Sequence, residues 1–363
     1  GTANALVANP QEVGAFAYNP AAMGFHDRSS LAIGALFIGP SFIVRNGAGR
    51  FDSQGADWYA GPLFQGAVHL TERWRLGLGI NAPFGLETRW TFGTFPALSQ
   101  GVRVPTPQGP VTIPTGNHPT NSKLEVLDFV PTAACRVTDN LSLGLGLDLY
   151  WAKSAELSSN LGQLDGDGSG TGFNLGALYR RDALSLGVAY RSGATLAIEG
   201  SYLPLSRPLV AAGRLAPAQD ARLDLDLPWM LQLGVRYAFS PALALEIDWT
   251  RTGWSVFDRL EVEGRATGGL ILTDVNDWSD ANAYRLGVTY QIRPQTQLRL
   301  GYSFDETGQG DDRFSARVPD SDRQLFGIGL AQSLGQGLSL EAGYMYVHMA
   351  ERRIRSATPY RLG

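Results

Sequence analysis

Residues 141–150 read Leu-Ser-Leu-Gly-Leu-Gly-Leu-Asp-Leu-Tyr. In an extended chain the five leucines share one side, and Ser, Gly, Gly, Asp and Tyr share the other. A helix would scatter both sets around its axis. The phrase therefore specifies a strand with one apolar face and one small or polar face. It recurs at Trp74–Ile80, Leu184–Tyr190, Leu243–Trp249, Leu298–Tyr302 and Leu338–Tyr344. Each copy follows a brief polar turn, such as Thr138-Asp139-Asn140, Ser240-Pro241 or Pro294-Gln295. Turns that short force neighbouring strands to run antiparallel.

The opposite strand ends carry longer irregular segments, at about 45–56, 93–122, 157–170, 200–220, 263–280 and 306–322, rich in Pro, Gly, Asn and Asp. Short turns at one end and long loops at the other are what transmembrane β-barrels of the outer membrane show. Strand starts fall near 29, 57, 74, 123, 141, 170, 183, 221, 242, 281, 296, 323 and 338. Tyr360-Arg361-Leu362-Gly363 reads as the incomplete start of one more. Because bacterial barrels have even strand numbers, the expectation is an all-β, antiparallel barrel of fourteen strands. Aromatic residues near strand ends (Trp58, Tyr59, Trp74, Trp90, Tyr150, Trp151, Trp229, Trp249 and Trp254) fit interfacial girdles.

Composition agrees. Charged residues are 18% of the chain, low against roughly 25% in soluble domains. A net charge of −4 without a basic block gives no footprint for nucleic acid. No apolar run reaches the ~18–20 residues of a spanning helix. The lone Cys135 excludes an internal disulfide.

Two stretches break the rhythm. Residues 1–28 have no period, contain Asn9-Pro10 and Asn19-Pro20, and carry Phe16, Tyr18, Met23 and Phe25, which are costly to leave in water. A segment folded inside the barrel would bury them, so 1–28 is expected to be a lumenal plug and 29–363 the barrel. The third strand contains Asn81-Ala82-Pro83-Phe84-Gly85. Pro83 cannot donate to a ladder and Gly85 permits a bend, which points to a kink that opens the wall.

Gly14-Ala15-Phe16-Ala17-Tyr18-Asn19-Pro20-Ala21-Ala22-Met23, followed by Ser29 to Val44, resembles the N-terminal hatch and first strand of the FadL family of outer-membrane channels. Asn19, Pro20 and Ala21 match the family's hatch motif. Further matches are Leu161–Leu164, Leu227–Met230, Trp249–Phe257 and Ala283–Arg285, so the resemblance spans about 14–350. It implies passive uptake of long-chain fatty acids or similar hydrophobes: capture at extracellular loops, transfer to a lumenal pocket, and lateral exit at the third-strand kink, which the hatch motif contacts. Capture is expected at the loops near 157–170 and 200–220, through Leu203, Leu205, Leu209 and Val210. Pocket candidates are Phe16, Met23, Phe25, Trp151, Trp229 and Trp254. The family's carboxylate-binding cations align with Glu156 and Ala281 here, leaving Arg191 or Arg285 as substitutes and raising neutral aromatic hydrocarbons as the alternative substrate. Expected partners are the hydrophobic solute and outer-membrane lipid or lipopolysaccharide, with the protein a monomer.

Other signals are set aside. Asp165-Gly166-Asp167-Gly168 resembles the start of a calcium loop, but Gly176 stands where a bidentate Glu is needed; it reads as a polar loop with at most weak calcium binding. His26, His69, His118 and His348 do not cluster, so no metal or cofactor is expected. The inward charges Glu246, Asp248, Arg285, Arg299 and Glu341 read as a lumenal network rather than catalytic pairs. An outer-membrane lipase would need a nucleophile–histidine pair, and a general porin would conduct ions freely.

Overall fold

In the computed structural model, residues 1–53, 58–105, 107 and 109–354 are described. Seventeen hydrogen-bonded segments form thirteen wall strands, because four strands are each interrupted once. They are β1 (Ser30–Ile38), β2 (Tyr59–His69), β3 (Trp74–Arg89), β4 (Pro119–Arg136), β5 (Leu141–Ser159), β6 (Gly162–Arg181), β7 (Leu184–Arg191 with Ala194–Pro204), β8 (Gln219–Leu227 with Met230–Ala238), β9 (Leu243–Thr252 with Arg259–Gly264), β10 (Leu270–Val275 with Ala281–Arg293), β11 (Thr296–Asp305), β12 (Arg323–Gly335) and β13 (Leu338–Met349). Each pairs antiparallel with its neighbours in chain order. Among the described residues, β1 and β13 are the two edges of the sheet; Tyr360–Gly363, read as the start of a further strand, lies outside them.

The two-residue rhythm sorts the faces as expected. On β5, Leu143, Leu145, Leu147 and Leu149 are exposed, while Ser142 and Asp148 are fully buried. The apolar row faces outward, as a wall solvated by lipid chains requires. The sheet curls. Val126 and Tyr150 of β4 and β5 belong to one packed cluster with Leu260, Val262 and Trp278, which come from β9, its C-terminal extension and the loop before Ala281. Five strands or so at ~4.8 Å each would separate them across a flat sheet.

Two expected loops are wholly or partly strand. Residues 157–170 continue β5 and β6 to a tight turn at Asn160-Leu161, and residues 270–275 within 263–280 form the first part of β10. Asp165 and Asp167 therefore stand on β6, exposed and outward, where alternation with glycine is strand chemistry. No group of three or more metal-ligating side chains occurs among the described residues. The segment at 200–220 does hold a loop, with a one-turn helix α1 (Arg207–Ala211).

Candidate functional site: the inner face and a slot in the wall

The N-terminal residues lie on the inner face and touch strand after strand through glycines. A Cβ on Gly301 (β11) would fall 2.1 Å from the Thr2 carbonyl carbon; on Gly187 (β7), 2.2 Å from the Val7 oxygen; on Gly144 (β5), 2.4 Å from the Ala21 nitrogen; on Gly77 (β3), 2.5 Å from the Met23 sulfur. Only glycine lets the segment's backbone come this close. The inward charges hold it as well. Asp248 accepts from the Leu6 and Val7 N–H groups at 2.8 and 3.1 Å, and Glu246 from Ala8 N–H at 2.8 Å. Arg299 bridges Glu12 at 2.6 Å and Glu341 at 2.7 Å. Glu246, Asp248 and Arg299, read as part of a lumenal network, thus anchor the N-terminal segment.

Asn19 is fully buried and caps the short 3-10 helix Pro20–Phe25. Its Nδ2 donates to Val7 O at 2.9 Å and to Ala177 O at 3.1 Å, while Oδ1 accepts from Ala21 N–H at 3.0 Å. The motif Asn19-Pro20-Ala21 therefore seats against Gly176 of β6 and Gly144 of β5. That corrects the expectation that it contacts the kink in β3. The segment's side chains nearest β3 are Met23, against Gly77, and Phe16, against Gly79. A two-strand displacement follows from Asn19, which reaches for the β6 carbonyl that the absent side chain of Gly176 leaves accessible.

The kink itself is present. Asn81 pairs with Asp128 and Phe84 with Val126, so Ala82 and Pro83 together oppose a single β4 residue. This is a bulge where proline cannot donate. On the other side of β3, the ladder to β2 runs from His69↔Arg75 to Phe64↔Ile80 and ends there. Strand β3 continues to Arg89 beside β4, and β2 continues back to Tyr59 beside β1. The wall thus has a slot between residues 59–63 and 81–89, bridged by side chains in place of a ladder.

Above the N-terminal segment the inner face is apolar. Val126, Tyr150, Leu196, Ile198, Leu223, Leu260, Val262, Phe257 and Trp278 pack there, with Phe84 and Trp254 against them. Trp278 stacks edge-on with Phe257 at 5.2 Å and lies 5.3 Å from Trp254. Sequence reasoning missed most of this cluster because the alternation changes phase. In β7, Ser185, Gly187 and Ala189 face in below Ser192-Gly193, whereas Leu196 and Ile198 face in above it. The slip inverts the faces, so the apolar row turns inward and Thr195 and Glu199 turn out. The signal was legible as a break in parity at Gly193.

Of the pocket candidates, Trp254 packs against this cluster, and Phe16 and Met23 join Ala67 and Ala134 in another. Trp151 does not: it follows Leu149 in the exposed outward row. Phe25 lies near the turn end, 4.8 Å from the Arg180 guanidinium. Trp229 packs its indole nitrogen onto Gly253, where β9 breaks. Leu203 and Leu205 are exposed, whereas Leu209 is buried and Val210 half-buried.

Neither substitute cation is free. Arg191 bonds Asp128 at 2.8 Å and Asp148 at 3.0 Å, and Arg285 bonds Thr250 and faces Asp248 across the ladder. Glu156 accepts from Asn121, and Ala281 is buried at the start of the second part of β10. A cation the sequence reading overlooked is Arg317, in the loop between β11 and β12. It is 3% exposed, donates to Ser122 Oγ at 3.3 Å and Ser158 O at 3.1 Å, and its Nε lies 3.9 Å from the Asp274 carboxylate without a hydrogen bond.

The family model described as outer membrane protein transport protein (OMPP1/FadL/TodX) matches residues 1–360. A long-chain fatty acid transport protein of Escherichia coli O6:H1 is 24% identical, covering 93% of this chain and 81% of that protein. Outer membrane protein P1 of Haemophilus influenzae is 22% identical over 77% of this chain and 63% of its own length. Among solved structures, a Pseudomonas aeruginosa FadL homologue superposes with a TM-score of 0.77 at 19% identity, covering 100% and 91% of the two chains. The toluene transporter TodX of P. putida gives 0.63 at 20%, covering 92% and 93%. The fatty acid and toluene relatives are transport proteins rather than enzymes. The chain belongs to the OMPP1/FadL/TodX family of outer-membrane transport proteins.

Proposed function

We propose that this protein takes up hydrophobic molecules by capture at the extracellular loops, residence among the apolar side chains of the inner face, and sideways exit through the slot between β2 and β3, with residues 1–28 closing the lumen below. The observation that carries this reading is the end of the β2–β3 ladder at Phe64↔Ile80. A route through water would be prohibitive. Each methylene released to water costs about 0.8 kcal/mol, roughly 12 kcal/mol for a chain of about fifteen methylenes. A sideways path lets the solute exchange one apolar surface for another, with no energy source. Exposed Leu203 and Leu205 beside α1 supply an apolar landing surface. The protein is read as a monomer in contact with lipid and lipopolysaccharide all round.

The test is a reversible bolt. Continuing the register places Leu63 opposite Asn81. In a Cys135→Ser background, Leu63→Cys with Asn81→Cys should form a disulfide that closes the slot. Uptake of radiolabelled oleate or toluene, by cells lacking their own transporter, should stop under oxidation and return with reductant. Unchanged uptake by the oxidised protein would remove the lateral route.

The substrate head group is a separate question. The buried Arg317, whose acidic neighbour Asp274 stands off at 3.9 Å without a hydrogen bond, favours an anionic amphiphile such as a fatty acid able to displace that loose pair, because a charge-assisted hydrogen bond in a dry site is worth ~1.5–3 kcal/mol. The aromatic wall of Phe257, Trp278 and Trp254, with Arg191 neutralised, favours a neutral aromatic hydrocarbon. Arg317→Leu should weaken oleate binding about tenfold or more and leave toluene binding unchanged if the anion reading holds. Equal effects on both ligands would leave the aromatic reading standing.

A further inference from the structure

The slot is lined by small residues and one large one. Gly61 and Ala82 face each other across it: a Cβ on Gly61 would lie 3.1 Å from the Ala82 Cβ. A Cβ on Gly85 would lie 2.5 Å from the Tyr59 ring, and one on Gly61 3.2 Å from the same ring. The ring therefore crosses from β2 to the face of Gly85 on β3, at the level where the ladder is missing. Its hydroxyl comes under the charges of Glu125 and Lys153, which are themselves bonded at 2.6 Å. An aromatic body with a polar tip suits this place. The unpaired backbone edges of β2 and β3 cannot face lipid bare, since each unsatisfied group costs several kcal/mol there. The ring covers those edges while the hydroxyl stays with the charged pair.

We propose that Tyr59 is the gate of the lateral slot: its ring blocks passage at rest, and a side-chain rotation that swings the ring off Gly85 admits the solute to the bilayer. The inference rests on the lateral-exit reading. Glycine at 61 and 85 follows from it, because any Cβ at Gly85 would drive the ring out of its seat.

Initial uptake rates of oleate and toluene, whichever the wild type carries, read the gate. Tyr59→Ala should raise the rate roughly five- to tenfold if opening limits transfer. Tyr59→Phe, which keeps the ring, should stay within about twofold of wild type. Gly85→Ala should reproduce the Tyr59→Ala increase by displacing the ring, and the double variant should be no faster than either single one, as coupled residues require. Heat-modifiable migration on gels confirms folding of each variant; should Tyr59→Ala not fold, Gly85→Ala and the double variant decide. Equal rates in wild type and the folded variants, with the Leu63–Asn81 bolt still blocking uptake, would overturn the gate and spare the route. Failure of the bolt would overturn the route itself.

Discussion

His118 shows how one residue organises the extracellular side. It is fully buried, and its Nε2 accepts the Phe95 N–H at 3.3 Å, so the ring must be neutral at that atom. Phe95 in turn meets the Trp90 ring edge-on at 5.4 Å. Burial holds the His118 pKa below its ordinary value of 6.5. With a depressed folded pKa, the contribution of this contact is complete above about pH 6.5 and declines as pH falls toward the folded value. Trp90 fluorescence should therefore change on acidification below about pH 6 and recover on return. His118→Gln, which keeps an acceptor without the titration, should flatten that response. Four dispersed histidines gave no hint of this in the sequence, because the partner lies in a different stretch of the same loop.

At the scale of the strand, glycine has a second use. The sequence shows Leu-Gly alternation as a strand with a small inner face, and that much was readable. What the glycines are small for depends on the N-terminal segment lying against them. Gly301 is the clearest case, with Thr2 and Ala3 backbone atoms 2.1 and 2.3 Å from its would-be Cβ. Gly301→Val should push the start of the segment off β11, at a cost of ~1–3 kcal/mol for overpacking. Amide exchange across residues 1–9 should rise, and single-channel conductance in planar bilayers should increase, while the barrel stays heat-modifiable. A variant with wild-type exchange and conductance would mean the segment does not depend on this contact. The bulge at Ala82-Pro83 was equally readable as an interruption, since proline and glycine announce it. The sequence did not reveal which neighbouring ladder would be lost.

At the scale of the molecule, the curl of the sheet and the loops across its end bring together residues far apart in the chain. Thr88 donates to the Arg317 carbonyl at 2.7 Å and the Trp90 indole to the Ala316 carbonyl at 2.8 Å, joining β3 and its following loop to the loop between β11 and β12. These contacts fix the loop that carries Arg317 over the inner face. The loop expected at 157–170 is strand on both sides of a tight turn at Asn160-Leu161. How far a strand continues past its periodic stretch is set by pairing with its neighbours, which no short window of sequence contains.

By itself the sequence determined the strands, their antiparallel order, the lipid-facing row and the existence of a non-strand segment, because period two and turn chemistry are local properties. Tertiary structure alone decided where the N-terminal segment seats, which ladder breaks beside the kink, and which apolar residues form the inner-face cluster. Those depend on register and on the curl of the sheet, which bring together groups that no short window of sequence contains.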